Sequence, residues 1–193
     1  MQLIEDNLYH VYNRGNNKQQ VFFGEEHYIH FMKLMQKNIY PYCDILAWCL
    51  MPNRFHFLIN ANAKSVPIIK DGSFERQQFS QGIKQLLSSY TKAINVEMDF
   101  TGSRFQQKTK AREINTFEYA STAFNYIHQN PVQAKLVSFM EEWEYSSFNE
   151  YANDHIDGFC NKKLAFALLN IQQETFYRDA CQALDDELVK KIF

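Results

Sequence analysis

The hydrophobic and polar residues follow two periods along the chain, and these predict alternating strands and helices. Residues 8–12, 44–50 and 55–60 are rich in β-branched and aromatic side chains, which favours strands. Apolar residues recur at helical spacing in residues 25–38 and again in 74–96. The intervening residues 61–73 are expected to form a loop that ends at the turn sequence Asp-Gly-Ser.

The second half of the chain predicts an extended arm and then helices. Residues 104–114 are expected to form a strand or an extended arm, and Thr116 is expected to cap the next helix. That helix is predicted to end at Asn130 because Pro131 cannot continue its hydrogen bonding. Further segments are expected to be helical or rich in turns: 132–140, 143–151, 163–169 and 174–190.

The order of these elements predicts an α+β fold. A ferredoxin-like sandwich, with a mainly antiparallel sheet covered by helices and a C-terminal helical extension, is the simplest version. Residues 1–151 are expected to form the main domain, and residues 152–193 a helical tail that packs on it or extends it.

Composition narrows the class of protein. The chain has 193 residues, of which 46% are hydrophobic and 22% charged, a balance that excludes a disordered protein. No apolar run approaches the roughly 20 residues of a membrane helix, and no signal peptide is visible at the N-terminus. The four cysteines show no paired CxxC spacing, which favours reduced thiols in a cytoplasmic protein without membrane association.

Charge is unevenly distributed along the chain. Residues 61–140 carry ten basic and six acidic side chains, whereas residues 141–193 carry five basic and eleven acidic ones. The middle segment could therefore contact phosphates and the tail could not. Charge alone is also compatible with an ordinary solvated surface.

A cation and an imidazole stand on the predicted strand at 55–60 and just before it. Arg54 and His56 point to one face, whereas Phe55 and Phe57 point to the other. Burial of such a polar pair is costly unless it serves a ligand or a reaction.

A tyrosine and an amide follow in the helix after Thr116. Tyr126 and Asn130 are four residues apart and therefore share one helix face. They could meet the polar strand face, or they could be an ordinary half-buried tyrosine and a helix cap. The remaining histidines of helices and loops are expected at the surface: His27, His30, His128 and His155.

Four motifs in the same order resemble the REP-associated tyrosine transposases, members of the HUH single-tyrosine transposase group. The motifs are YHVYNRG at 9–15, CLMPNRFH at 49–56, GSRFQ at 102–106 and YIHQNPV at 126–132. The resemblance extends over about residues 8 to 151 and implies an HUH-type, ferredoxin-like domain. It also implies a DNA partner, single-stranded or a hairpin of repeated palindromic type, bound by a monomer or a homodimer.

The resemblance implies DNA strand nicking and rejoining through a covalent 5′-phosphotyrosine. Tyr126 matches the nucleophile, and His56 and Asn130 match ligands of a Mg or Mn ion that polarises the phosphate. The first histidine of the HUH motif is replaced by Arg54, whose guanidinium has no lone pair to offer a metal.

Three interpretations of Arg54 remain open. In the first, the protein binds DNA without cleaving it, as a domesticated relative. In the second, the guanidinium replaces the metal, so that no cofactor is needed. In the third, His10, which shares a face with Tyr12 on the first strand, supplies the missing ligand. An interaction module that shares only the architecture is a further, non-nucleic-acid alternative.

Basic residues near these motifs are the candidates for contacts with the DNA backbone. Such contacts give salt-dependent affinity and little sequence information. The candidates are Arg14, Arg54, Arg104, Lys108, Lys110 and Arg112.

Overall fold

An antiparallel sheet of four strands forms the centre of the protein in the computed structural model, which describes residues 1–153, 155–184, 187, 189 and 190. The strand order β2-β3-β1-β6 and the sequence β-α-β-β-α-β along the chain confirm the predicted ferredoxin-like α+β fold. A separate hairpin, β4-β5, is inserted before the second helix. The strands are β1 (Leu8–Arg14), β2 (Asp44–Met51), β3 (Arg54–Asn60), β4 (Ile68–Asp71), β5 (Phe74–Gln77) and β6 (Lys110–Ile114).

Helices cover both faces of this sheet and bury two apolar cores. The first two helices cover one face, and the third helix covers the other together with the short helices of the C-terminal region. None of the helices in the described part of the chain is both long and apolar enough to cross a membrane. The helices are α1 (Glu25–Asn38), α2 (Gln78–Glu97), α3 (Phe117–Gln133), α4 (Phe148–Ala152), α5 (Lys162–Leu169) and α6 (Phe176–Ala180).

The core beneath α1 and α2 is built from aromatic rings. Phe31, Phe55, Tyr90 and Phe105 are all buried and contact one another at centroid distances of 5.1 to 6.2 Å. Phe105 is therefore part of the core and is not available to stack on an unpaired base. This rigid face fixes the strands whose opposite side carries the polar residues.

Residues after α3 close the outer edge of β2. Ser146 and Cys160 form isolated bridges to β2, and the backbone N–H of Leu50 donates to the carbonyl of Tyr145 at 2.8 Å. Buried Glu150 accepts hydrogen bonds from the indole N–H of Trp48 at 2.7 Å and from the backbone N–H of Cys160 at 2.9 Å. A single carboxylate thus joins β2 to the start of the C-terminal region.

The expected loop at 61–73 and the expected helix start at residue 74 were wrong. Ile68–Asp71 and Phe74–Gln77 form the hairpin β4-β5 instead, and α2 begins only at Gln78. The turn between them needs Gly72, whose φ of +64° suits a residue without a Cβ. Asp71 also forms ion pairs with Arg76 and Lys84, and these favour the hairpin over a longer helix.

The predicted ends of the later helices also need correction. Thr116 caps α3 as expected, accepting from the backbone N–H of Tyr119, but the helix passes through Pro131 and ends at Gln133. Pro131 removes only its own hydrogen bond, and the N–H of Ala134 still reaches the carbonyl of Asn130 at 2.9 Å.

Short helices and turns follow α3, as expected for segments predicted to be helical or rich in turns. Of the segments 132–140 and 143–151, only Phe148–Ala152 continues as an α-helix, because residues 145–147 pair with β2. The predicted helix 174–190 is represented by α6, and its residues 185, 186 and 188 lie outside the described residues. In the described part of the tail, Phe176 and Ala180 are buried in the α3 core.

Candidate active site

The sheet face covered by α3, called here the α3 face, carries a group of polar residues from three adjacent strands. The antiparallel register places Tyr12 opposite His56 on one side and opposite Lys110 on the other. Two residues further along, Arg14 lies opposite Arg54. Because side chains alternate along a strand, all five belong to the same face of the sheet.

Two histidines and a tyrosine form a stacked group in the middle of this face. The ring of His10 stacks on Tyr12 at 4.7 Å and on His56 at 5.1 Å. His10 Nε2 and His56 Nδ1 are 2.9 Å apart and share one hydrogen bond. Burial, and then the neighbouring His10 and Arg54, hold the pKa of His56 well below its usual range, so its imidazole is neutral at neutral pH.

Helix α3 brings Tyr126 and Asn130 against this group. The Arg54 Nη2 donates to Asn130 Oδ1 at 2.9 Å, and Asn130 Nδ2 donates back to the carbonyl of Tyr126 at 3.1 Å. The Tyr126 ring packs edge-on against His56, with centroids 5.8 Å apart. The four residues singled out from the two motifs therefore lie together.

The environment of Tyr126 does not favour the phenolate. Burial raises the pKa of Tyr126 to about 12, although the Arg54 charge and the Asn130 side chain act in the opposite direction. The residue is only 4% exposed.

This architecture is shared with a known DNA-binding protein. A solved structure described as a REP-associated tyrosine transposase bound to a REP hairpin superposes with a TM-score of 0.58, at 16% identity, covering 82% of this chain and 87% of that chain. The chain has the fold of a REP-associated tyrosine transposase. At this level of identity the likeness concerns the fold alone.

Other comparisons found weaker similarity. Structures of a bacterial tRNA(His) guanylyltransferase-like protein match at 10% identity, with a TM-score of 0.46 for the complex with GTP and 0.44 for the complex with ATP. They cover 70% and 89% of this chain and 67% and 75% of the other chain, respectively. No protein-family model and no curated protein matches the sequence.

The residues at the site do not fit a divalent metal ion. Asn130 Oδ1 accepts from Arg54 and is therefore not open to a metal, and the hydrogen bond between His10 Nε2 and His56 Nδ1 engages one nitrogen of each ring. The guanidinium of Arg54 is a fixed cation without a lone pair, and it would repel a metal ion. The geometry therefore does not gather His10, His56 and Asn130 into a metal cage.

The predicted DNA-contacting residues fall into two groups. Arg14, Arg54, Lys110 and Arg112 belong to the α3 face and are called here the basic cluster. Lys110 Nζ lies 5.6 Å from the centroid of the Tyr12 ring, and Arg112 pairs with His10 across the sheet.

Arg104 and Lys108 lie elsewhere. The Arg104 guanidinium lies 4.5 Å from the centre of the Phe100 ring and donates to the carbonyl of Thr101. Lys108 lines a groove of about 1060 Å³ between α2 and the segment before β6, whose lining includes neither Tyr126 nor Arg54. These two residues therefore do not extend the basic cluster.

Two histidines predicted at the surface are buried. His128 is enclosed by aromatic rings, and its Nε2 bonds the hydroxyl of Ser147 at 2.7 Å. His27 lies between α1 and α2, with its Nε2 3.0 Å from Glu97 and near Glu26.

Glu26, His27 and Glu97 together have the side chains of a metal site, but the tautomer of His27 does not suit metal binding. The backbone N–H of Phe23 donates to His27 Nδ1 at 3.0 Å, so the proton of the neutral ring is on Nε2 and faces Glu97. A protonated nitrogen cannot ligate a metal. The cluster is better explained as a link between α1 and α2.

Tyr12 is the site residue that sequence reasoning did not select. Its signal was the two-residue spacing from His10, which places both rings on the face that also carries His56. Pairing with β3, which a single sequence does not reveal, was needed to make that spacing informative.

Proposed function

We propose that the protein binds single-stranded or hairpin DNA across the α3 face, as a transposase-like DNA-binding protein. The observation that supports it is the basic cluster: four cationic side chains on one sheet face, next to Tyr12 and Tyr126. Lys110 and Arg112 are exposed, and basic side chains at the surface of a sheet can contact a phosphate backbone. The solved structure of the same fold carries a hairpin. We expect the protein to meet this DNA in the cytoplasm.

A second candidate function is nicking and rejoining of the bound strand by Tyr126. The Tyr126 oxygen would form a bond to phosphorus as the bond from phosphorus to the 3′ oxygen breaks. The phenolic proton would pass to solvent, and the leaving 3′ oxygen would take up a proton. The position of Arg54 favours this candidate, because its charge stabilises the phenolate that burial disfavours.

Binding is tested with a fluorescent hairpin carrying a single-stranded extension. Fluorescence anisotropy at low salt, in the presence of EDTA, should show saturable binding that is weaker for a blunt duplex of the same length. Absence of binding at low salt would contradict the proposed function. Cleavage is decided separately, by a protein–DNA adduct that survives denaturation.

A further inference from the structure

We propose that the Arg54 guanidinium acts in place of a divalent metal ion, so that a DNA phosphodiester is held at this site without metal. The inference rests on the proposed DNA binding and names the group that would grip the phosphate. Its support comes from the charge and the hydrogen bonding of Arg54.

Within the described residues, Arg54 has no acidic partner for its charge. Its side chain donates a hydrogen bond to the neutral amide of Asn130, and an amide oxygen does not neutralise a guanidinium. Its Nε is buried and has no acceptor within the described part of the chain. A partly buried cation without an anion is costly, and a bound phosphate would supply both the charge and the acceptor.

The position of Arg14 also favours a phosphate bound at Arg54. Arg14 lies directly opposite Arg54 on the neighbouring antiparallel strand. Like charges in such a pair destabilise the sheet unless something lies between them. A phosphodiester bridging the two guanidinium groups would turn this repulsion into attraction, and the planar fork of arginine suits two phosphate oxygens at once.

Arg54 is also placed to act on the reacting groups. Its pairing with Met51 of β2 and its hydrogen bond to Asn130 of α3 locate Arg54 between these two elements. Its charge opposes the effect of burial on the pKa of Tyr126. A phosphate held there lies beside the Tyr126 ring, where a metal ion would otherwise neutralise it. The same Arg54 occupies Asn130 Oδ1 and so prevents this oxygen from ligating an ion.

The metal part is tested without DNA, by titrating the full chain with Mn²⁺ and following free Mn²⁺ by electron paramagnetic resonance. The wild type should show no site that depends on His56. Arg54→His should bind Mn²⁺ at least tenfold more tightly than the wild type does. The double variant Arg54→His, His56→Ala should lose this gain. A wild-type Mn²⁺ site that His56→Ala abolishes would overturn the inference, even if DNA binding stands.

The phosphate part is tested with the fluorescent hairpin in EDTA and in Mg²⁺ at matched ionic strength. Wild-type affinity should be equal in both, and Arg54→Gln, which keeps a donor for Asn130, should weaken it at least tenfold. Lys108→Gln is the matched control and should bind like the wild type; circular dichroism checks that each variant is folded.

The remaining outcomes separate the role of Arg54 from DNA binding itself. Affinity that requires Mg²⁺, or Arg54→Gln binding as tightly as the wild type, would refute the role of Arg54 while leaving DNA binding intact. Absence of hairpin binding by the wild type would refute the proposed function, and the phosphodiester site with it, whatever the Mn²⁺ titration shows.

Discussion

Arg54 on β3 and Asn130 on α3 are joined by a hydrogen bond of 2.9 Å from Nη2 to Oδ1. The bond connects the start of a central strand to the last turns of a helix 76 positions later in the chain. It also holds both side chains beside Tyr126. The geometry of the candidate site therefore depends on this one contact.

Asn130→Ala should destabilise the protein by about 1–3 kcal/mol, because it leaves a partly buried guanidinium N–H without an acceptor. Urea unfolding measures the change. In a double-mutant cycle with Arg54→Ala the two losses should not add, with a coupling of about 1 kcal/mol. Additive losses would show that the contact does not contribute to stability.

Tyr126→Phe should abolish any covalent adduct with a labelled hairpin while its affinity changes less than about threefold, since only the hydroxyl is removed. Denaturing gel electrophoresis detects the adduct. Tyr12→Phe is the matched control, a buried tyrosine on the same face. An adduct that persists in Tyr126→Phe and disappears in Tyr12→Phe would reassign the nucleophile.

Lys110→Ala and Arg112→Ala should each weaken hairpin binding to a similar degree for all sequences. Each should reduce the slope of log K against log salt concentration by about 0.7–0.9, the value for one lost phosphate contact. Arg104→Ala, which removes a cation that lies off the α3 face, should leave the slope unchanged. A reversed pattern would place the DNA along the groove beside α2.

Glu150→Ala should cost at least about 3 kcal/mol, because it leaves the indole N–H of Trp48 and the backbone N–H groups of Phe159 and Cys160 without an acceptor. Unfolding followed by tryptophan fluorescence measures this loss. Glu150→Gln should cost less because one acceptor oxygen remains. Glu144→Ala, at an exposed site nearby, should change stability by less than about 0.5 kcal/mol.

Acid should destabilise the protein through His128. Burial lowers the pKa of His128 to about 3, below the value near 6.5 that the residue has in the unfolded chain. The unfolded state therefore takes up the proton first as pH falls, and stability present above pH 6.5 is lost progressively between pH 6.5 and 3. The loss should approach about 1.4 kcal/mol per pH unit.

Urea unfolding between pH 7.5 and 4.5 measures this dependence. His128→Gln, which cannot titrate, should show a slope shallower by one proton over the same range. An unchanged slope would assign the acid sensitivity to other groups, among them His56, whose pKa is also lowered by burial.

The sequence predicted the sheet and the polar strand face correctly because both depend on local alternation. Arg54 and His56 share a face, as the two-residue period requires, and Phe55 and Phe57 lie in the opposite core. Thr116 was identified as a cap from residue type and position alone. These features need no knowledge of distant contacts.

Features that depend on tertiary contacts were not predictable in the same way. The β4-β5 hairpin is supported by ion pairs to Asp71, and residues 145–147 are held extended by β2. His128 is buried because Phe148 of α4 and Phe176 of α6 pack against its ring. The hydrogen bond from Arg54 to Asn130 joins residues 76 positions apart and could be found only from the fold.

The two edges of the sheet differ in how they meet other molecules. β2 is covered by Ser146 and Cys160, whereas among the described residues no strand pairs with the outer side of β6. That open edge carries Lys110 and Arg112, whose positive charges oppose pairing with a second copy of the same strand. The residues proposed to attract a polyanion thus also protect the protein from edge-to-edge aggregation. Neutralising them would make the chain prone to aggregate.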